Sequence, residues 1–272
     1  MKRKIDKTNV ILTCLMIFGL GLLLYPTVAN LWNSVHQSRI VNVYVATVAN
    51  ISNENSERMW KEADAYNAAL VGDRTRYMPD EEDQNYYDNT LNIDGTGIMS
   101  YIDIPKLRVV LPIYHGTDEL VLQVAIGHIQ GTSLPVGGES THCVISGHRG
   151  LPSAKLFTNI DELKEGDIFL IETLGKTLTY EVDQIRIVLP YQLEDIEIVE
   201  GEDYCTLVTC TPYGVNTHRL LVRGHRNDNA SLHVQVNSGA RPLDNRVVAL
   251  SLTIIMIVFF TIAVVLRTIF QS

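Results

Sequence analysis

At 272 residues the chain has room for one or two domains, and 31 acidic against 22 basic side chains give it a net charge of −9. That balance, with no basic stripe interleaved with aromatics, argues against a nucleic-acid partner. The four cysteines form no C-x-x-C and the histidines no H-x-x-x-H, so spacing offers neither a metal site nor a cofactor site.

The chain opens on M-K-R-K, followed by an apolar run from Val10 to Tyr25. Two readings fit residues 1–30: an uncleaved signal anchor behind a basic tail, or a secretory signal cleaved near Thr27-Val28-Ala29. In either case Lys2, Arg3, Lys4 and Lys7 hold the N-terminus in the cytoplasm, which puts the middle of the chain outside the membrane. Residues 31–94 read as an N-terminal helical region ending in a lid. Met59, Ala63, Tyr66 and Leu70 recur at helical spacing behind Ser, Asn and Glu residues suited to a helix start. From Gly72 to Asp94 the pattern dissolves around Asp80-Glu81-Glu82-Asp83, and a stretch of that length without periodicity reads as a disordered loop or a functional lid.

From Ile98 the texture changes to short strands: Met99–Ile104, Val109–His115, Thr141–Ser146, Ile168–Glu172, Thr177–Val188, Tyr204–Cys210 and Arg219–Gly224. Gly, Pro and Asp turns separate them, so residues 95–226 read as a mainly β domain, a barrel or sandwich of about 130 residues with its own core. A linker follows at 227–246. The 247–266 segment is twenty residues without a charge, enough for a transmembrane helix of about 30 Å, and 267–272 form a cytoplasmic tail. The expected location is the cell membrane, with the β domain extracytoplasmic.

Cys14 lies in the first apolar run, leaving Cys143, Cys205 and Cys210, an odd number that in an exported chain points to a free thiol. Cys205 and Cys210 fall on opposite faces of one strand, which makes a disulfide between them implausible. Cys143 and Cys205 read as small buried hydrophobes. Cys210 stands at the rim of the sheet, immediately before Thr211-Pro212-Tyr213-Gly214, where a thiol can meet solvent and substrate. A cysteine in water ionises near pH 8.5, about two units above histidine, so a neighbouring cation raises its thiolate share. His148 in S-G-H-R-G could supply that charge and pass a proton to a leaving amine, while Arg219 could hold an oxyanion. Spacing alone does not choose His148 over His128, His142 or His218, nor Arg219 over Arg149 or Arg223.

The run T-L-V-T-C-T-P-Y-G-V-N-T-H-R-L-L-V-R-G-H-R at 206–226 resembles the active-site strand pair of sortases. L-P-I-Y-H-G-T (111–117), G-H-I-Q-G-T-S-L-P-V-G-G (127–138) and S-G-H-R-G-L-P-S-A-K-L-F (146–157) extend the resemblance to the pilus-associated class C branch, over residues 55 to 226. The resemblance implies an eight-stranded sortase-type β-barrel with N-terminal helices and a C-terminal transmembrane helix. It implies a cysteine transpeptidase that needs no metal or cofactor, with Cys210 as nucleophile, His148 as general acid/base and Arg219 stabilising the oxyanion or substrate. Its implied partners are pilins or other surface proteins with L-P-x-T-G-like sorting signals, and a pilin lysine as acceptor amine. Class C enzymes commonly carry a lid with an Asp-Pro-aromatic motif, whereas G-D-R-T-R-Y-M-P-D at 72–80 has no Asp-Pro pair. A lid here would use Tyr77 or Met78 as plug and Asp73 or Asp80 as polar anchor; the alternative is an acidic linker. Three other functions stay open: a wall-anchoring sortase using a peptidoglycan amine, a thiol hydrolase, and a non-catalytic membrane-tethered binding domain.

Overall fold

The computed structural model describes residues 7–228 and 257–258. These fall into two units, one reaching Tyr25 and including 257–258, the other running from Pro26 onward. The span read at 247–266 and the tail after it lie outside the described residues, except that Ile257 and Val258 are helical. The linker read at 227–246 is described only at Asn227 and Asp228.

Helix α1 (Lys7–Ala49) begins in the first unit. Ile11, Leu12, Met16, Ile17 and Phe18 are all exposed there, on every side of the helix. A helix with no polar face has no soluble solution, and Cys14–Ala49 is long and apolar enough to cross a membrane.

In the second unit the chain breaks after Ala49 and restarts as α2 (Asn53–Leu70), where the Ser52 side chain accepts from Asn55 N–H at 3.3 Å. Ala63, Tyr66 and Leu70 face inward, as their spacing predicts. The acidic stretch expected to be a loop contains α3 (Glu81–Asn89). Its physical basis is local. Asp80 caps the helix by accepting from Glu82 and Asp83 N–H at 2.9 Å each, and Glu81, Glu82 and Asp83 fill the first turn, where the helix dipole favours negative charge. Tyr87 is the one buried residue of α3, so the helix carries no apolar periodicity for a sequence reading to find. Its hydroxyl accepts from Gly116 N–H and lies 2.9 Å from His128 Nδ1. The ring nitrogens of His115 lie 2.7 Å from Thr90 O and 2.9 Å from Gly97 O, holding the end of α3 to the barrel.

The barrel comprises β1 (Ile98–Ile104), β2 (Val109–His115), β3 (Ile126–His128), β4 (Thr141–Gly147), β5 (Ile168–Thr173), β6 (Lys176–Val188), β7 (Asp203–Thr211) and β8 (His218–Arg226). A four-residue helix, α4 (Glu119–Leu122), precedes β3. The strands close in the order β1-β2-β3-β4-β7-β8-β6-β5. Seven match the strands read from sequence. The eighth, β3, has three residues including Gly127, too short to show an alternation. It pairs parallel to β2 and antiparallel to β4, while β4 pairs parallel to β7.

Alternation along β7 sorts its side chains. Cys205 and Leu207 enter the main core with Ile145, Phe169 and Val222, while Val208 joins a smaller outer cluster with Val144, Val188 and Leu221. Cys143 and Cys205 are register partners and both are buried free thiols; burial pushes Cys205 well above the usual thiol range. Glycine is required at 224, where a β-carbon would lie 2.6 Å from the Phe169 ring and 2.9 Å from Tyr180.

Candidate active site

Cys210 and Arg219 are direct partners in the antiparallel β7–β8 ladder. Opposed residues of such a pair project to the same face with β-carbons about 5 Å apart, so this register sets the Arg219 side chain on the thiol's face of the ladder. On the other side of β7 the parallel ladder with β4 pairs Ser146 with Val208. β4 ends at Gly147, so His148 opens the turn that follows, one residue beyond the strand. Thr209 Oγ1 donates to Gly147 O at 2.7 Å and joins the two strands at this end. The turn after β4 is fixed by Phe157 N–H donating to His148 O at 3.2 Å and Gly150 N–H to Thr158 Oγ1 at 3.1 Å. Cys210 is half-buried, unlike the two core thiols.

The fold also separates the rivals that spacing left open. His128 is fully buried between Tyr87 and the Ser133 carbonyl. His142 is buried too: its Nδ1 donates to Glu197 O at 2.8 Å, Thr206 Oγ1 donates to its Nε2 at 2.7 Å, and burial pushes its pKa down to about 4. His218 opposes Thr211, one position past Cys210, and therefore projects to the other face of the ladder. Among the arginines, Arg149 is ion-paired with Asp161 and Arg223 with Asp183. Arg219 has no carboxylate partner among the described residues; its Nη1 donates to the carbonyls of Asn216 and His218 at 3.3 and 3.1 Å. It is the arginine that remains available to a substrate oxygen.

The four lid candidates make local contacts. Asp73 caps a local turn through Thr75, and Asp80 caps α3. Arg76, which the sequence did not single out, is the anchor of this segment: its buried guanidinium pairs with Glu197 at 2.6 Å and donates to the Tyr77 hydroxyl at 3.1 Å. Tyr77 packs over Gly131, where a β-carbon would lie 2.8 Å from its ring, and Met78 is 85% exposed. None of the hydrogen bonds or ion pairs made by Asp73, Tyr77, Met78 or Asp80 goes to Cys210, His148 or Arg219. The segment instead borders a cleft of about 770 Å³ with the β6–β7 connection, lined by Asp73, Arg76, Tyr77, Glu197 and Glu200. Among the described residues, no group of three or more His, Cys, Asp or Glu side chains is placed to hold a metal ion.

The sortase domain model matches residues 102–227, and the chain belongs to the sortase family of cysteine transpeptidases. Solved sortase C structures are among its neighbours. It is 50% identical to sortase C1 from Streptococcus agalactiae, covering 70% of this chain and 99% of that one at a TM-score of 0.69. Sortase C-1 from Actinomyces oris is 45% identical, with 63% and 98% covered and a TM-score of 0.60. Sortase D from Bacillus subtilis is 31% identical over 129 residues, which span 62% of that protein's length.

Proposed function

We propose that this protein polymerises pilin subunits as a class C sortase. The Cys210 thiolate attacks the threonine carbonyl of an L-P-x-T-G-like sorting signal, and Arg219 donates to the oxyanion that forms. As the tetrahedral intermediate collapses, the Thr–Gly bond breaks and His148 delivers a proton to the glycine amine, leaving a thioester on Cys210. A lysine amine of the next pilin then attacks the thioester, its proton passes to His148, and the thiolate departs as a Thr–Lys isopeptide bond forms. The observation that carries this reading is the Cys210–Arg219 register pair, with His148 in the turn directly after the strand that pairs with β7. Two relatives supply the substrate class. A Clostridium perfringens sortase C was solved with a C-terminal cell wall sorting motif, and the Streptococcus pneumoniae sortase C structure addresses pilin substrate specificity. The N-terminal apolar helix supports a membrane-tethered enzyme, and the basic residues ahead of it support a barrel outside the cell.

The test incubates the full-length protein in detergent with pilin subunits bearing a sorting signal. High-mass ladders are expected, with mass spectrometry finding Thr–Lys cross-links. Cys210→Ala should abolish them, and Arg219→Ala should slow them about 10²- to 10³-fold, the usual effect of removing an oxyanion donor. Ladders that survive Cys210→Ala would refute the mechanism. Product formed only with a peptidoglycan amine would move the enzyme to wall anchoring, and acid released to water despite added amine would make it a hydrolase.

A further inference from the structure

The backbone of His148 is held by its turn, but one end of its ring is not. Nε2 is shielded from solvent and has no hydrogen-bond partner. A shielded imidazole nitrogen without a partner is unfavourable in either protonation state, so a nearby acceptor able to move matters. Glu119 is such a group, with its Oε2 3.9 Å from Nε2. Glu119 stands in the first turn of α4, on an element separate from β4 and β7. Its other oxygen, Oε1, accepts from Gln123 Nε2 at 3.2 Å, which holds the carboxylate with Oε2 toward the histidine. The residues following α4 are fixed in turn by α1, because Gln37 Nε2 donates to Val124 O at 2.6 Å. The Glu119 side chain is 71% exposed, so it can close the remaining ångström by rotation with no change in the barrel.

We propose that Glu119 is a positioning residue for His148, accepting the Nε2–H and so leaving Nδ1 as the nitrogen that gives and takes the catalytic proton. This rests on the reading of His148 as the acid–base group. An acceptor-only carboxylate can pair with Nε2 only when that nitrogen carries hydrogen. Once Nδ1 has protonated the departing glycine amine, the neutral ring then keeps its hydrogen on Nε2 and its lone pair on Nδ1. That is the tautomer able to receive the lysine proton in the second half of the reaction. Glu119 touches neither substrate nor thiol in this account, so its removal acts on turnover and not on binding.

The experiment uses the full-length protein in detergent with an L-P-x-T-G peptide and an excess of a lysine-like amine, comparing Glu119→Ala, Glu119→Gln and His148→Ala. Glu119→Ala should lower kcat about fivefold, the scale of a solvent-exposed pair, with KM and melting temperature unchanged. Glu119→Gln keeps an acceptor oxygen and should return kcat to within about twofold of the parent. Unchanged kcat in Glu119→Ala, beside an inactive His148→Ala, would overturn the inference alone. So would a loss that Gln does not rescue, or one carried by KM and melting temperature. Full turnover in His148→Ala would remove the acid–base reading and this inference with it.

Discussion

Four histidines serve three ends here, and burial separates them. His128 and His115 tie α3 to the barrel, His142 joins the β6–β7 connection to β7, and His148 lies partly exposed just past β4. The buried His142 has a testable consequence. Its folded pKa near 4 lies below the unfolded value near 6.5, so between these limits the unfolded chain binds a proton that the folded chain does not. Stability attributable to His142 is therefore intact above about pH 6.5 and is lost as pH falls toward 4, amounting to about 3 kcal/mol across the window. Urea unfolding at pH 7 and pH 4.5 should show that loss, and His142→Gln should flatten the slope even though it lowers stability at both pH values. An unchanged slope in the variant would assign the acid sensitivity to other groups.

At the scale of elements, the segment from Val71 to Pro79 is held sideways onto the barrel by Arg76, Glu197 and the Tyr77–Gly131 contact. Deleting residues 73–88 would make a poor test of a lid, because it removes Tyr87 from the core together with the cap of α3. Point substitutions separate the two effects. Met78 stands in solvent, so Met78→Ala should leave the alkylation rate of Cys210 by a small maleimide within about twofold of the parent. An acceleration of fivefold or more would show that Met78 does plug the site. Of the four proposed lid residues, the two aspartates, read as polar anchors, are local caps, and the docking of Tyr77 was not legible. Its partner Gly131 lies far along the chain and carries no side chain to signal the contact.

For the molecule as a whole, closure of the barrel depends on strands approaching closely where side chains are large. Gly224 on β8 faces the stacked rings of Phe169 and Tyr180, whose centroids are 5.6 Å apart. Gly224→Ala should therefore lower stability by about 1–3 kcal/mol, as overpacking does, and thermal unfolding monitored by circular dichroism will measure it. A melting temperature equal to the parent's would mean that the rings shift freely and the core is less tightly packed than its geometry indicates.

Seven strands, the inward face of α2, the apolar start of α1 and the family motifs could all be read from sequence, because each is a local pattern of hydrophobicity, turn residues or residue identity. So could the candidate trio, as T-L-V-T-C, G-H-R-G and the arginine nine residues past the cysteine. Spacing could not choose among the histidines and arginines, and the register that pairs Cys210 with Arg219 exists only once β7 and β8 lie side by side. Glu119 shows the same limit most plainly. Twenty-nine residues separate it from His148 along the chain, and nothing in D-E-L-V-L marks it. Only the placing of α4 against the β4 end of the barrel brings a carboxylate to within 3.9 Å of that ring.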